Sequence, residues 1–275
     1  MPEAISEDRI EEMEAVGRSA ILQAGECIME RLGDPSAIDT KGTSDYVTDV
    51  DRACEALIME MIRKRFPDHH IMSEESPFQG WEPGITWILD PLDGTTNFIH
   101  GFPFVAVSMA VVVEKEPVLG LTLDPVRGEL FTARRGGGAH LNGQRIQVKD
   151  VSSLHEALIA TAFPFRARDL LEPYMATFRR IFQSVGDVRR TGSAALDLAY
   201  VACGRVNGFW EAGLKPWDVA AGTLLIREAG GRVSDFWGKD NYLQNGHIVA
   251  GAPSVYPFLL QHVAAHLAPA LAQAR

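Results

Sequence analysis

The sequence predicts an α/β (α+β) protein, a layered sandwich of helices and two sheets. Three observations predict it. Two long stretches of helical periodicity come first, between Ser6 and Pro67. A crowded run of β-branched segments follows, with a hairpin signal near its end. Beyond about Asp150, strand-like and helix-like segments alternate, which implies a second α/β layer. The expected division is an N-terminal α+β subdomain over 1–150, with a mostly antiparallel sheet, and a C-terminal α/β subdomain over 151–275.

The first helix is expected from Ser6 to about Leu32. Ile10, Met13, Ile21, Ala24 and Ile28 fall on one face, and acidic residues fill the first turn. A second helix starts after Thr48, keeps helical spacing through Cys54, Leu57, Ile58, Met61 and Ile62, and stops at Pro67. The period then changes to that of strands: HHIMS, TWILD, FVAVSMAVVV, PVLGLTLD and GELFTAR. The pair Asn142-Gly143 marks a hairpin. In the second half ALIATAF, VNGFWE, GRVSDF and HIVAGA read as strands. DLLEPYMATFRRIF, AALDLAYVAC and WDVAAGTLLIREAG read as helices, and a final helix begins near Ser254.

A chain of 275 residues with 46% hydrophobic and 23% charged residues buries enough surface to need no staples. No apolar run approaches the length of a membrane span. The N-terminus is acidic and helical in pattern, unlike a signal or transit peptide, so a cytoplasmic location is expected. Cys27, Cys54 and Cys203 are odd in number and form no CxxC pair, which suits reduced thiols. A net charge of −10 argues against general binding to nucleic acid or to an anionic membrane. An anionic small substrate remains compatible if a cation is recruited.

Four places combine acidic or polar residues with strand ends or helix starts: Lys41 to Asp51, Ser73 to Ser76, the stretch WILDPLDGTTNF, and Glu211 with Trp217-Asp218. Each has a plain structural reading beside a functional one. Thr48-x-x-Asp51 is nearly a capping box. Glu74 and Glu75 suit a solvated turn, and Asp218 suits a helix N-cap. Asp90 and Asp93 resist such a reading. They sit where a buried strand should stop, and a proline between them lets the turn aim both carboxylates at one point. Converging carboxylates repel unless a cation sits among them, and an all-oxygen set without His or Cys suits Mg²⁺ or Mn²⁺ rather than zinc. Gly94-Thr95-Thr96 at a helix start offers backbone N–H groups to an anion. Metal cluster plus anion nest points to phosphate ester hydrolysis by a metal-activated water.

DPLDGTTNF, with SEES upstream and WDVAAG downstream, closely resembles the inositol monophosphatase family, and RRTGSAALDLAYVACGRVNGFWE resembles its bacterial inositol-1-monophosphatases. The match runs from Lys41 to about Gly251, with the motifs in order. The resemblance implies an αβαβα sandwich of the sugar phosphatase type, usually a homodimer, with Mg²⁺-dependent phosphatase activity inhibited by lithium. It also implies that Glu74, Asp90, the Leu92 carbonyl, Asp93 and Asp218 hold about two or three Mg²⁺ ions. Asp90 would bridge two of them. Most of these ligands would lie in the subdomain over 1–150.

Glu74 would orient the attacking water, and Thr95, hydrogen-bonded to Asp51, would help activate it. Asp93, Gly94, Thr95 and Asp218 would meet the substrate, with Gly94 and Thr95 offering backbone donors to its phosphate. Gly192, Ser193, Ala194 and Glu211, in the subdomain over 151–275, match the segment that contacts inositol hydroxyls. Ser193 stands where some members carry Thr, and both keep a hydroxyl. Lys41 and Asp45 fall in what resembles a mobile metal-site loop, with a spacing to Asp51 that differs by a residue from animal members.

The expected reaction is hydrolysis of inositol 1-phosphate. The alternatives are the same chemistry on fructose 1,6-bisphosphate, histidinol phosphate or a nucleotide 3′-phosphate. A regulatory role with RNA, another protein or transcription machinery enters only as a second job. Its basis is the set Arg166, Arg168, Arg179, Arg180, Arg189 and Arg190, read mainly as solvated helix faces or dimer-surface residues.

Overall fold

Residues 5–42, 45–76, 81, 83–164 and 167–273 are described in the computed structural model. The first helix, α1 (Glu7–Arg31), starts where Ser6 accepts the Arg9 N–H. A two-stranded ribbon, β1 (Ile38–Gly42) and β2 (Asp45–Thr48), leads into α2 (Asp49–Arg65). The capping box expected at Thr48 is present. Thr48 Oγ1 accepts the Val50 and Asp51 N–H groups, and the Thr48 N–H donates to Asp51 Oδ2 at 2.8 Å.

The seven-stranded sheet runs in simple order through β3 (His70–Ser73), β4 (Ile85–Asp93), β5 (Ala106–Val113), β6 (Glu116–Asp124), β7 (Glu129–Arg134), β8 (Gly138–Leu141) and β9 (Gln144–Ile146). Only the β3–β4 pair is parallel. Asn142-Gly143 makes the β8–β9 hairpin, with Asn142 at φ 48° and Gly143 at φ 79°, as the sequence predicts. A short helix α3 (Thr95–Ile99) follows β4 directly.

The second sheet contains β10 (Leu158–Thr161), β11 (Asp187–Arg189), β12 (Gly208–Glu211), β13 (Arg232–Ser234) and β14 (Ile248–Gly251), in the order β11-β10-β12-β14-β13. Between these strands lie α4 (Leu171–Phe182), α5 (Ala194–Ala202), α6 (Pro216–Glu228) and the single-turn α7 (Tyr242–Asn245), and α8 (Tyr256–Gln273) closes the chain. The ribbon β1–β2 and the edge strand β11 have no counterpart in the sequence reading. Their segments are short and polar, without an alternating apolar pattern.

Five layers result. Helices α1 and α2 cover one face of the large sheet. Helices α5 and α6 fill the space between the sheets, and α4 and α8 cover the far face of the small sheet. Strand alternation assigns the side chains. Trp87, Leu89, Met109, Val111 and Leu121 pack toward α1 and α2. Ile88, Ala110, Val112, Phe131 and Ala133 pack with Leu198, Val201 and Leu225 of the middle helices. Cys27, Cys54 and Cys203 are free thiols. Cys27 and Cys54, distant in sequence, meet across the α1–α2 contact, where burial pushes the Cys54 thiol up.

The middle layer is tight because small residues line it. A Cβ added at Gly222 of α6 would lie 2.5 Å from Leu198 Cβ of α5. Gly222→Ala should therefore lower stability by about 1–3 kcal/mol through overpacking. This outweighs the ~1 kcal/mol that alanine gains over glycine in a helix. Urea unfolding should show a lower midpoint with an unchanged slope, and a raised midpoint would contradict the tight-layer reading.

Candidate active site

Strand β4 does not stop at Asp90, as the sequence suggested; it continues to Asp93 with an irregularity. Asp90 pairs with Ser108 and Asp93 with Ala106. Three steps on β4 thus match two on β5, so one extra residue forms a β-bulge. In a regular strand Asp90 and Asp93 would point to opposite faces. The bulge returns Asp93 to the face of Asp90, which is the inner face toward α5 and α6. Pro91 removes one ladder donor at that point. Leu92 N–H turns back to Asp90 Oδ1 at 3.1 Å. Gly94 then takes φ 91° and starts α3. A Cβ there would meet the Phe104 carbonyl at 3.1 Å, so only glycine suits the position.

The third carboxylate comes from α6. Asp218 lies in that helix's first turn at the third position, not at the N-cap, and its Oδ2 accepts the Lys215 N–H at 2.7 Å. Carboxylate oxygens of Asp90, Asp93 and Asp218 all lie within 4.8 Å of one another. Glu74, just past β3, borders the same cavity of about 100 Å³. Burial drives the Asp90 carboxyl well above the usual carboxylate range, and Glu74, Asp93 and Asp218 push it further. At this spacing each ionised pair repels by about 3 kcal/mol at an effective dielectric near 20.

Donors hold these groups in place despite the repulsion. Ser193, the N-cap of α5, donates its hydroxyl to Asp93 Oδ2 at 2.6 Å, and the Ala195 N–H reaches the same oxygen at 2.7 Å. Thr95 Oγ1 lies 3.1 Å from Asp51 Oδ1 and 3.2 Å from the Leu92 carbonyl. Asp51 is fully buried, and burial raises its pKa against the lowering effect of its bonds from Thr48 and Thr95. Asp51 thus serves both as the capping-box acid and as the partner of Thr95.

Of the residues singled out in the sequence, Glu74, Asp90, Leu92, Asp93, Gly94, Thr95, Gly192, Ser193, Ala194, Glu211 and Asp218 all border this cavity. Asp51 stands behind Thr95 and does not. The side chains of Lys41 and Asp45, and all of Arg166, lie outside the described residues. Arg168, Arg179, Arg180 and Arg189 are exposed. Arg190 is exposed as well, and among the described residues it is the member of this set that also borders the cavity.

Tyr46, Asn97 and Asp197 were missed. Asn97 Nδ2 ties α3 to the α5 approach, donating to the Phe104 carbonyl at 2.8 Å and the Thr191 carbonyl at 3.0 Å. Asp197 carried a signal that could have found it: it is the one charged residue of α5, a helix otherwise almost wholly apolar.

A family model described as the inositol monophosphatase family matches residues 9–270. The chain belongs to the inositol monophosphatase family. It is 48% identical over 255 residues to the protein named Nus factor SuhB of Escherichia coli K12, covering 92% of this chain and 96% of that one. Among solved structures, the extragenic suppressor protein SuhB of Bartonella henselae superposes with a TM-score of 0.88 at 38% identity, covering 92% of this chain and 98% of that one. The Thermotoga maritima IMPase gives 0.85 at 33% identity, covering 96% and 99%. The five-layer αβαβα sandwich is therefore the family's fold, and the family is one of metal-dependent phosphatases. Among the described residues no helix is long and apolar enough to cross a membrane.

The Asp90 environment predicts a pH dependence in metal-free protein. Its folded-state pKa is raised, so folded protein holds a proton that unfolded protein has already lost. Stability then falls as pH rises from the unfolded carboxylate pKa, near 3.8, toward the folded one. Asp90→Asn removes that slope and keeps an oxygen to accept the Leu92 N–H. With chelator present, the variant should melt above the parent at pH 8 and the gap should close toward pH 4. Parallel melting curves across that range would show that the carboxylates do not oppose one another.

Proposed function

We propose that the protein is a Mg²⁺-dependent phosphomonoesterase that hydrolyses inositol 1-phosphate to inositol and phosphate by direct attack of an activated water. The convergence of Asp90, Asp93 and Asp218 is the observation that carries this reading. Three carboxylates at this spacing, with no nitrogen or sulfur ligand among them, fit a hard divalent cation such as Mg²⁺ or Mn²⁺. On this reading Glu74, Asp90, the Leu92 carbonyl, Asp93 and Asp218 hold the ions. Bound metal supplies a water of lowered pKa and a Lewis acid for the phosphoryl oxygens.

The protein's own groups do the rest. Thr95 Oγ, held by Asp51, is placed to pass a proton from the attacking water, and Glu74 orients that water. The backbone N–H groups of Gly94 and Thr95 meet phosphate oxygens. Gly192, Ser193, Ala194 and Glu211 meet the leaving alcohol. Division of labour between residues 1–150 and 151–275, a homodimer, lithium inhibition and a cytoplasmic location belong to the same reading.

Purified protein should release phosphate from inositol 1-phosphate only with Mg²⁺ or Mn²⁺ present. Asp93→Asn should cut kcat/KM by roughly 10²–10³, the scale seen when one preorganised charge-stabilising group is lost. Unchanged activity in that variant sinks the metal assignment. Comparing kcat/KM for fructose 1,6-bisphosphate, histidinol phosphate and a nucleotide 3′-phosphate tests the substrate, because specificity is a ratio of such values.

A second role with nucleic acid or transcription machinery draws support from the name Nus factor carried by relatives 48–49% identical to this chain. Exposed Arg168, Arg179 and Arg180 offer cationic groups outside the cavity. Such a role should appear as salt-sensitive RNA binding retained by Asp93→Asn, and absence of binding at low salt would remove it.

A further inference from the structure

A row of buried polar side chains crosses the inner face of the large sheet beneath α6. Asp90 of β4 pairs with Ser108 of β5, and Ser108 pairs with Thr122 of β6. Strand alternation puts all three on the face toward α5 and α6, because their flanking residues Leu89, Val107, Met109, Leu121 and Leu123 pack under α1 and α2. All three are buried. Beyond Thr122 the row ends at Phe131 of β7, whose side chain offers no hydrogen-bonding group.

Size alone does not account for the two hydroxyls. The middle layer is close here: a Cβ added at Gly120, two residues before Thr122, would lie 3.0 Å from the Ala221 carbonyl oxygen of α6. Alanine at 108 and valine at 122 would suit that limit equally well and bury no hydroxyl. A buried hydroxyl costs free energy unless it is hydrogen-bonded. Ser108 has a bond, because its Oγ donates to the Trp217 carbonyl at 3.3 Å. Trp217 directly precedes Asp218 in the first turn of α6. Thr122 Oγ1 is buried with no partner.

The two hydroxyls complete each other. A hydroxyl has one hydrogen to give and two lone pairs to accept with. Ser108 gives its hydrogen to Trp217, so its oxygen can still accept one. Opposed residues on antiparallel strands have Cβ atoms about 4.5–5.5 Å apart, a span that two hydroxyls bridge.

We infer that Ser108, backed by the Thr122 hydroxyl, is a positioning residue for the acidic cluster. It ties the first turn of α6, and with it Asp218, to the strand beside Asp90. This rests on the metal-dependent phosphatase reading above and adds a support behind the ligands. Asp90 and Asp218 can share a cation only at short range, and without one they repel each other. The Ser108 bond holds α6 in place against that repulsion.

The test is calorimetric titration of the purified protein with Mg²⁺. Loss of a group that orients a metal ligand lowers metal affinity about 10- to 100-fold. Ser108→Ala should weaken Mg²⁺ binding by about tenfold, the lower end of that range, because Ser108 acts through backbone. Thr122→Val should weaken it in the same direction. Combined with Ser108→Ala, it should cause no further loss, because it acts through Ser108. Thr122→Ser keeps the hydroxyl and should bind as the parent does. Misfolding lowers the number of sites titrated and leaves the affinity per site, so a purely structural defect reads differently. Parent affinity in Ser108→Ala overturns the positioning role while the metal reading stands. An unchanged Thr122→Val, or additive losses in the double variant, overturns the pairing of the two hydroxyls. A parent that binds no Mg²⁺ overturns the metal reading and this inference together.

Discussion

One inserted residue in β4 governs the site. The side-chain period of a strand is two, so residues three apart point to opposite faces. Without the bulge between Asp90 and Asp93, one carboxylate would enter the packed layer under α1 and α2, among Trp87, Leu89 and Met109. A lone charge there would be intolerable. With the bulge, both face the middle layer, where the first turn of α6 brings Asp218. The same distortion leaves the Leu92 carbonyl beside Thr95 and delivers the chain to Gly94, whose positive φ opens α3.

The cluster persists because the surrounding elements spend their loose ends on it. Helix starts leave backbone N–H groups without partners. Here three helix starts point such groups at the acids. The α5 start gives Asp93 the Ala195 N–H and the Ser193 hydroxyl. At α6, Asp218 takes the Lys215 N–H. The α2 start fixes Asp51 through Thr48. Each bond stabilises an ionised carboxylate, which partly offsets burial. Positioning and electrostatics are thus the same contacts, and removing a cap would disturb the site as well as the helix.

Much of this was legible in the sequence, for identifiable reasons. The long helices carry apolar residues at helical spacing, and the large sheet carries β-branched runs, so periodicity found them. The stretch WILDPLDGTTNF stood out because carboxylates are poor strand residues. What periodicity could not supply was the bulge, since a one-residue insertion is defined only against a partner strand. It likewise could not bring Ser193 to Asp93, a hundred positions away, or bring Arg190 into the cavity, because nothing local separates it from its exposed neighbour Arg189. At Asp51 the capping-box reading holds through one carboxylate oxygen, and the other oxygen accepts from Thr95, a contact between α2 and α3 that no local pattern shows.

The charge balance of the cavity sets the order in which a substrate can be accommodated. Among the described residues Glu74, Asp90, Asp93, Asp197, Glu211 and Asp218 border it with a single cation, Arg190. Fully ionised, six acids against one base leave a formal charge of −5, in a chain already at −10. A phosphate monoester approaching that surface is repelled, and protons or divalent cations must first neutralise the Asp90 side. The bordering acids then differ in their hydrogen-bond partners. Asp93 and Asp218 each accept backbone N–H groups, Asp197 accepts the Thr191 hydroxyl, and among the described residues no donor bonds Glu211, so positive charge brought into the cavity relieves all of them.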